Sequence, residues 1–138
     1  MNKVTNVELI GDVVVIATEG YLNKDLGDEI QNAAKEHIAN GINKVLINLE
    51  RSNIVNSIGA SILIELIEEL QESNGSLSFC NLAPIIEKTF KIMGLTKYCK
   101  SYPTQAEAID AMSEAQITFW IHYLHSANLN LLRINCLL

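Results

Sequence analysis

The sequence has few of the residues that mark disulfide-rich or membrane-spanning proteins. Its cysteines, Cys80, Cys99 and Cys136, are odd in number and well separated, and they form no CxxC pair. They predict buried or incidental thiols in a reducing cytoplasm and not a disulfide framework. No apolar run reaches membrane-spanning length without interruption, and the N-terminus does not resemble a signal peptide. We therefore expect a cytoplasmic protein without a membrane span.

Positive charge is also scarce. The 138 residues include 16 acidic and 10 basic ones, which gives a formal net charge of -6. An acidic chain without a basic patch is not expected to bind nucleic acid. Hydrophobic residues make up 49% and charged residues 19%, so the chain is expected to be globular with its own core.

Several motifs of enzymes are missing as well. The sequence contains no G-x-x-x-x-G-K-[ST] phosphate loop, no G-x-G-x-x-G dinucleotide loop and no G-x-S-x-G nucleophile elbow. The only histidine before residue 115 is His37, which falls in the middle of a predicted helix and more simply packs at the edge of that helix face. We therefore predict no enzymatic activity, no cofactor and no metal site.

Hydrophobic periodicity predicts an α/β chain. β-branched runs around a Gly-Asp turn predict an N-terminal hairpin, and strands then alternate with helices, so later strands should pair in parallel. The predicted order is a β-hairpin followed by αβαβαα, in a mixed sheet of four or more strands with helices packed against it. The strands are Val7–Ile10, Val13–Ala17, Val45–Leu49 and Leu77–Cys80, and the helices open at Asp25, Ser57, Pro84 and Thr104.

One short stretch, from Asn53 to Ser61, joins a buried strand to the most regular amphipathic helix. A loop over residues 50–56 is expected to lead from the strand to a helix of about Ser57 to Glu72. The start of a helix carries free N–H groups and a partial positive charge, so it is suited to an anion or a phosphate. Either Asn56 or Ser57 could cap this helix. The Ser57 hydroxyl is free only if Asn56 is the cap.

The composition changes near residue 115, which divides the chain into a domain of residues 1–114 and an extension of residues 115–138. After Glu114 the only charged residue is Arg133, and no glycine or proline occurs after Pro103. Apolar residues at helical spacing predict an amphipathic helix. The helix could cover part of the domain, could be an extension without function, or could join two copies in a homodimer. The apolar residues of this predicted helix are 117, 120, 121, 124, 127, 131, 134 and 138.

From about Val7 to Met112 the sequence resembles the STAS domain family, typified by bacterial anti-sigma factor antagonists. Glu19-Gly20-Tyr21-Leu22-Asn23 is similar to the family's E-G-x-L-D at the end of the second strand. Asn56-Ser57-Ile58-Gly59 is similar to its D-S-[ST]-G. The order and spacing of these motifs, with Gly94-Leu95 after the third helix, fit along the whole span. The resemblance implies a STAS-like sandwich.

The resemblance also implies a mechanism. The serine of the motif, Ser57 here, would be phosphorylated by an anti-sigma factor that is also a serine kinase. The unphosphorylated protein would bind that partner and release a sigma factor, and phosphorylation would end the binding. The residues singled out for partner binding are Asn23, Asn53, Asn56, Ser57, Ile58 and Ser61.

The chain departs from the family pattern towards neutral residues. Asn23, Asn48 and Asn56 stand where the family commonly has aspartate, and Ile58 replaces its second hydroxyl. Amides keep hydrogen bonding but lose charge. A second hypothesis is therefore a STAS scaffold without a phosphorylation switch, in a signalling assembly or a transporter. Ile58 could be an exposed apolar anchor or could tuck under the loop.

Overall fold

The structure, a computed structural model, describes residues 2–113 and contains five strands and four helices within them. The extension of residues 115–138, with its predicted amphipathic helix and homodimer contact, lies outside the described residues. The elements are β1 (Lys3–Ile10), β2 (Val13–Leu22), α1 (Lys24–Ala39), β3 (Lys44–Val55), α2 (Ser57–Glu72), β4 (Ser76–Cys80), α3 (Pro84–Met93), a 3-10 turn (Leu95–Lys97), β5 (Lys100–Tyr102) and α4 (105–113).

The five strands form one mixed sheet whose spatial order, β1-β2-β3-β4-β5, is the order of the sequence. β1 and β2 pair antiparallel across the turn at Gly11, whose φ of 62° suits glycine, and every later neighbour pairs in parallel. Right-handed crossovers that always step in one direction place α1, α2 and α3 on the same face. This confirms the predicted fold class.

The sheet buries apolar side chains on both faces. On one face, Val14 and Ile16 of β2 belong to the large core that the sheet shares with α1, α2 and α3. On the other face, Val13 and Val15 belong to a smaller cluster with Ala108 of α4. The near-continuous apolar runs of β2 and β3 follow from this burial on both sides.

The second and third strands are longer than predicted. β3 continues to Val55, so the expected loop over residues 50–56 was wrong, and β2 continues to Leu22. The two strands pair with each other beyond the end of β4, with register shifts around Glu19. The buried Thr18 and Ser52 hydroxyls lie 2.8 Å apart in this ribbon. The polar sequence of residues 50–53 is typical of a loop. This part of β3 is extended because it pairs with β2, and not because it buries apolar side chains.

Two smaller predictions also changed. β5 was missing from the predicted order, because it has only three residues at the edge of the sheet and little apolar character. The first helix begins at Lys24 with Asn23 as its cap, so Asp25 does not open it. At the other ends the predictions are confirmed: Gly94 takes the left-handed conformation after α3, and the Thr104 hydroxyl accepts from the Glu107 N–H at 3.2 Å.

Within residues 2–113, none of the helices combines the length and apolar character needed to cross a membrane. The same residues contain no group of three or more His, Cys, Asp or Glu side chains arranged to hold a metal ion.

Candidate functional site

The candidate site lies where two parallel strands end beside one another and each continues into a helix. Leu22 of β2 pairs with Val55 of β3, so the starts of α1 and α2 are neighbours. The Asn56 N–H donates to the Leu22 carbonyl at 3.1 Å and ties the two joints together. Two positive helix ends therefore meet at this edge of the sheet.

The two asparagines at these joints have the same role. The Asn23 Oδ1 accepts from the Leu26 N–H at 3.1 Å and caps α1. The Asn56 Oδ1 accepts from the Gly59 N–H at 2.8 Å and caps α2. An amide oxygen satisfies a helix N-terminus as a carboxylate does, so aspartate is not needed here for the fold.

Gly59 allows the two joints to approach one another. A Cβ at this position would collide with the Leu22 carbonyl oxygen and would lie 2.8 Å from the Leu22 carbonyl carbon and 3.2 Å from the Asn23 nitrogen. These are backbone atoms that cannot move aside easily. The glycine beside the serine therefore sets the position of α2 against β2, which sequence reasoning did not foresee.

Ser57 is the first residue of α2 and is exposed. The cap is Asn56, which settles the two alternatives left by the sequence. Within residues 2–113 the Ser57 hydroxyl makes no hydrogen bond, and the first turn of α2 contains no acidic residue. The hydroxyl therefore stands free at a helix end that favours negative charge.

The remaining predicted residues differ in their surroundings. Ile58 is 54% exposed, so it does not tuck under the joint. Asn53 is exposed on β3. Ser61 is also exposed, but its hydroxyl donates to the Ser57 carbonyl at 2.7 Å and is occupied. Ser57 and Ile58 therefore present the free hydroxyl and the exposed apolar side chain at the start of α2.

Two further apolar side chains were missed by sequence reasoning. Tyr21 and Ile54 pair across the β2–β3 ribbon and are 38% and 53% exposed. Their neighbours Leu22 and Val55 face the core on the helix side, so this pair faces away from it. Sequence reasoning missed Ile54 because it took residues 50–56 as a loop, whereas the adjacent Ile54 and Val55 lie on opposite faces of a strand.

Asn48, the third asparagine in place of an aspartate, lies on the other face of the sheet. Its amide donates to the Gln105 Oε1 at 2.9 Å, which links β3 to α4. Its Oδ1 accepts from the Glu50 N–H at 3.0 Å and from the Asn81 amide at 3.1 Å. Asn48 therefore links β3 to α4 and to the segment after β4, and it is not part of the surface around Ser57.

No described side chain is placed to activate Ser57 as a nucleophile by proton removal. His37 lies in the last turn of α1, whereas the first turn adjoins the site, so about 20 Å of helix separates them. Its Nδ1 is 3.1 Å from the Ala33 carbonyl. Burial raises the pKa of the Cys80 thiol to about 11 and that of Cys99 to about 12, so both stay protonated at neutral pH. The geometry fits a modified or binding serine better than a catalytic one.

Named proteins and solved structures resemble the chain over the same region. The chain is 20% identical, over 88 residues, to BtrV of Bordetella bronchiseptica, which is named as an anti-sigma factor antagonist; the match covers 64% of this chain and 76% of BtrV. A Thermotoga maritima protein named in the same way has a TM-score of 0.70 at 18% identity, over 77% of this chain and 92% of that one, which shows a shared fold.

A second solved structure is that of the Bacillus cell fate determinant SpoIIAA in its phosphorylated form. It has a TM-score of 0.63 at 26% identity, over 78% of this chain and 97% of that one. The model of the STAS domain family matches residues 5–108, which include most of β1, all of β2 to β5 and the site at the start of α2. The chain therefore belongs to the STAS domain family.

Proposed function

We propose that the protein is an anti-sigma factor antagonist that is switched by phosphorylation of Ser57. In this proposal the unphosphorylated protein binds, in the cytoplasm, an anti-sigma factor that is also a serine kinase. The observation that carries the proposal is the exposed Ser57 hydroxyl, which no described residue engages because Asn56 caps the helix. The names of BtrV and of SpoIIAA in its phosphorylated form support it.

The chemistry at Ser57 is the transfer of a phosphoryl group. The Ser57 oxygen would form a bond to the γ-phosphorus of ATP as the bond from that phosphorus to the bridging oxygen of ADP breaks, and the hydroxyl proton leaves. The partner kinase would supply the nucleotide and the catalytic groups. This division fits a site without a base of its own, and we propose no enzymatic activity for this chain.

The phosphate would act on the interface and not on the fold. A phosphoserine carries about -1.5 to -2 charges, which the start of α2 tolerates. The exposed apolar side chains of Ile58, next to Ser57, and of Tyr21 and Ile54, at the ends of the adjoining strands, suit a dry contact with a partner. A phosphate beside them would have to lose its hydration when the partner binds, which is costly without a matching cation.

The second candidate function is a STAS scaffold that binds its partner without this switch. The neutral asparagines favour it, because Asn23 and Asn56 offer a kinase no carboxylate to recognise. The two functions differ in one respect. Binding by a scaffold is indifferent to a negative charge at residue 57, whereas binding by the switched antagonist is lost.

The test is incubation with the cognate kinase and ATP, followed by mass spectrometry. We expect a gain of one phosphate, its absence in Ser57→Ala, and its retention in Ser61→Ala, the matched control, which is exposed one turn along the same helix. In a pulldown, wild type and Ser57→Ala should retain the partner and Ser57→Asp should not. Labelling at Ser61, or equal binding by all three proteins, would contradict the switch.

A further inference from the structure

A second surface, far along the chain from Ser57, has the composition of an interface. It comprises the outer side of α3 and the segment that follows it, and we call it the lysine face. Ile85 and Ile92 are 60% and 76% exposed, more than any other large aliphatic side chain among residues 2–113. Ile85 and Ile92 are seven residues apart, so they share one side of α3. The lysine face contains Ile85, Lys88, Lys91, Ile92 and Lys97.

This surface is positive on a chain that is acidic as a whole. Three of the ten basic residues, Lys88, Lys91 and Lys97, lie on it, and the only acidic residue over 84–97 is Glu87. All three lysines are exposed, and none forms an ion pair within residues 2–113. Exposed apolar side chains between unpaired positive charges suit an acidic protein surface with apolar groups of its own.

Such an acidic surface exists on the same chain. Glu65, Glu68 and Glu72 are exposed at three- and four-residue spacing along α2, which contains no lysine or arginine. The exposed Ile58 lies at the head of the same helix. We call Glu65, Glu68 and Glu72 the glutamate stripe. Its length, about two turns, matches that of α3 between Ile85 and Ile92.

The two surfaces cannot meet within one molecule. α2 and α3 lie in the same layer over the sheet, and the lysine face and the glutamate stripe both point from that layer to solvent. A second copy can bring them together. We propose that the lysine face binds the glutamate stripe of another copy of this chain, so that the protein associates head to tail.

The proposed contact joins two different surfaces, so a pair of bound copies still has one unbound surface of each kind. The first copy keeps a free glutamate stripe and the second keeps a free lysine face, and further copies can add until a ring closes. The association does not require the proposed kinase or the phosphorylation of Ser57. It uses the later turns of α2, and it should weaken in salt because exposed charges are screened.

The test measures the molecular mass of the full chain by analytical ultracentrifugation at low and at high salt. At an ionic strength of about 0.01 M the Debye length is about 30 Å, and at about 1 M it is about 3 Å. We expect oligomers that grow with protein concentration at low salt and monomers at high salt. Lys88→Glu with Lys91→Glu should abolish the association, and so should Glu65→Lys with Glu68→Lys. Mixing these two variants should restore it, because each then offers the charge that the other needs.

A matched control separates this contact from a change in overall charge. Lys3→Glu with Lys35→Glu alters the net charge by the same amount at exposed lysines outside the lysine face, and it should leave the association intact. A monomer at every concentration, or oligomers that persist at high salt, would overturn the proposal. So would a mixture that stays monomeric, or a chain that remains monomeric but binds phosphatidylserine vesicles through Lys88 and Lys91.

Discussion

At the scale of single residues, the geometry of the site depends on the absence of a side chain at Gly59. Gly59 lies in a helix, where alanine is ordinarily the more stable residue by about 0.5–1 kcal/mol. Glycine is needed here because the Cβ of any other residue would collide with the backbone of Leu22 and crowd that of Asn23. The contact holds the Ser57 hydroxyl at a fixed place beside the start of α1.

Replacement of this glycine is therefore expected to destabilise the protein. Gly59→Ala must push α2 away from β2, which should lower the free energy of unfolding by about 1–3 kcal/mol despite the gain in helix propensity. Urea unfolding followed by circular dichroism measures the change. The matched control is Gly27→Ala in α1, whose Cβ would have side-chain atoms of Ile62 and not backbone as its nearest neighbours, at 2.9 Å from Cδ1 and 3.2 Å from Cβ. A loss for Gly27→Ala as large as that for Gly59→Ala would contradict this account.

The sequence could narrow the cap of α2 to two residues but could not choose between them. Asparagine and serine both cap helices, so the local pattern fits either assignment. The choice depends on the bond from the Asn56 N–H to the Leu22 carbonyl, which comes from another strand. The role of Gly59 was hidden for the same reason, because the atoms that require it lie 37 residues earlier in the chain.

At the scale of elements, α4 is held on its face of the sheet by a few apolar contacts and by the polar side chains of Asn48 and Lys44. The apolar part is small, with Ala108 and Met112 as its buried members from α4. The polar part comprises the Lys44 Nζ, which donates to the Met112 carbonyl at 3.0 Å, and the amide of Asn48. That amide contacts Gln105 on one side and Asn81 on the other. The loss of this one side chain removes the partners of two others.

Asn48→Ala is therefore expected to release α4 more than it affects the rest of the fold. The amides of Asn81 and Gln105 lose partners, which should cost about 1–3 kcal/mol. Hydrogen exchange should become faster in residues 105–113 than in α1. Asn48→Asp is the matched variant: it keeps the acceptors for Glu50 and Asn81, and the Gln105 amide can turn to donate to it. A loss of protection as large with aspartate as with alanine would show that the amide bonds do not hold α4.

The elements themselves were largely predictable, and their exceptions have a common cause. α2, α3 and the hairpin follow from periodicity, from Pro84 at a helix start and from Gly94 at a helix end. β5 and the far end of β3 did not, because neither is marked by apolar alternation. Both are extended because a neighbouring strand pairs with them, which is a property of the sheet and not of the segment.

At the scale of the whole molecule, the fold and the proposed switch should be separable. Ser57 is exposed and lies outside both hydrophobic clusters, so a charge there disturbs no buried contact. The start of α2 also favours negative charge. The domain can therefore change the charge of its site while its core stays the same.

Ser57→Asp is accordingly expected to leave the free energy of unfolding unchanged or to raise it by about 0.3–1 kcal/mol. Thermal and urea unfolding at low salt measure the change, with Ser61→Asp in the same helix as the control. A fall of more than about 1 kcal/mol, large against ordinary surface substitutions, would mean that lost partner binding reflects a damaged fold. An unchanged stability would assign that loss to the interface.

The strictly sequential order of the sheet has a consequence for how the chain folds during its synthesis. Each new strand pairs with the strand that has just been made, and no later segment must insert between two earlier ones. Since domains tend to fold from the N-terminus as the ribosome extends the chain, every strand–helix unit can dock on a finished edge as it emerges. The joint at Ser57 would then be assembled before the lysine face has left the ribosome.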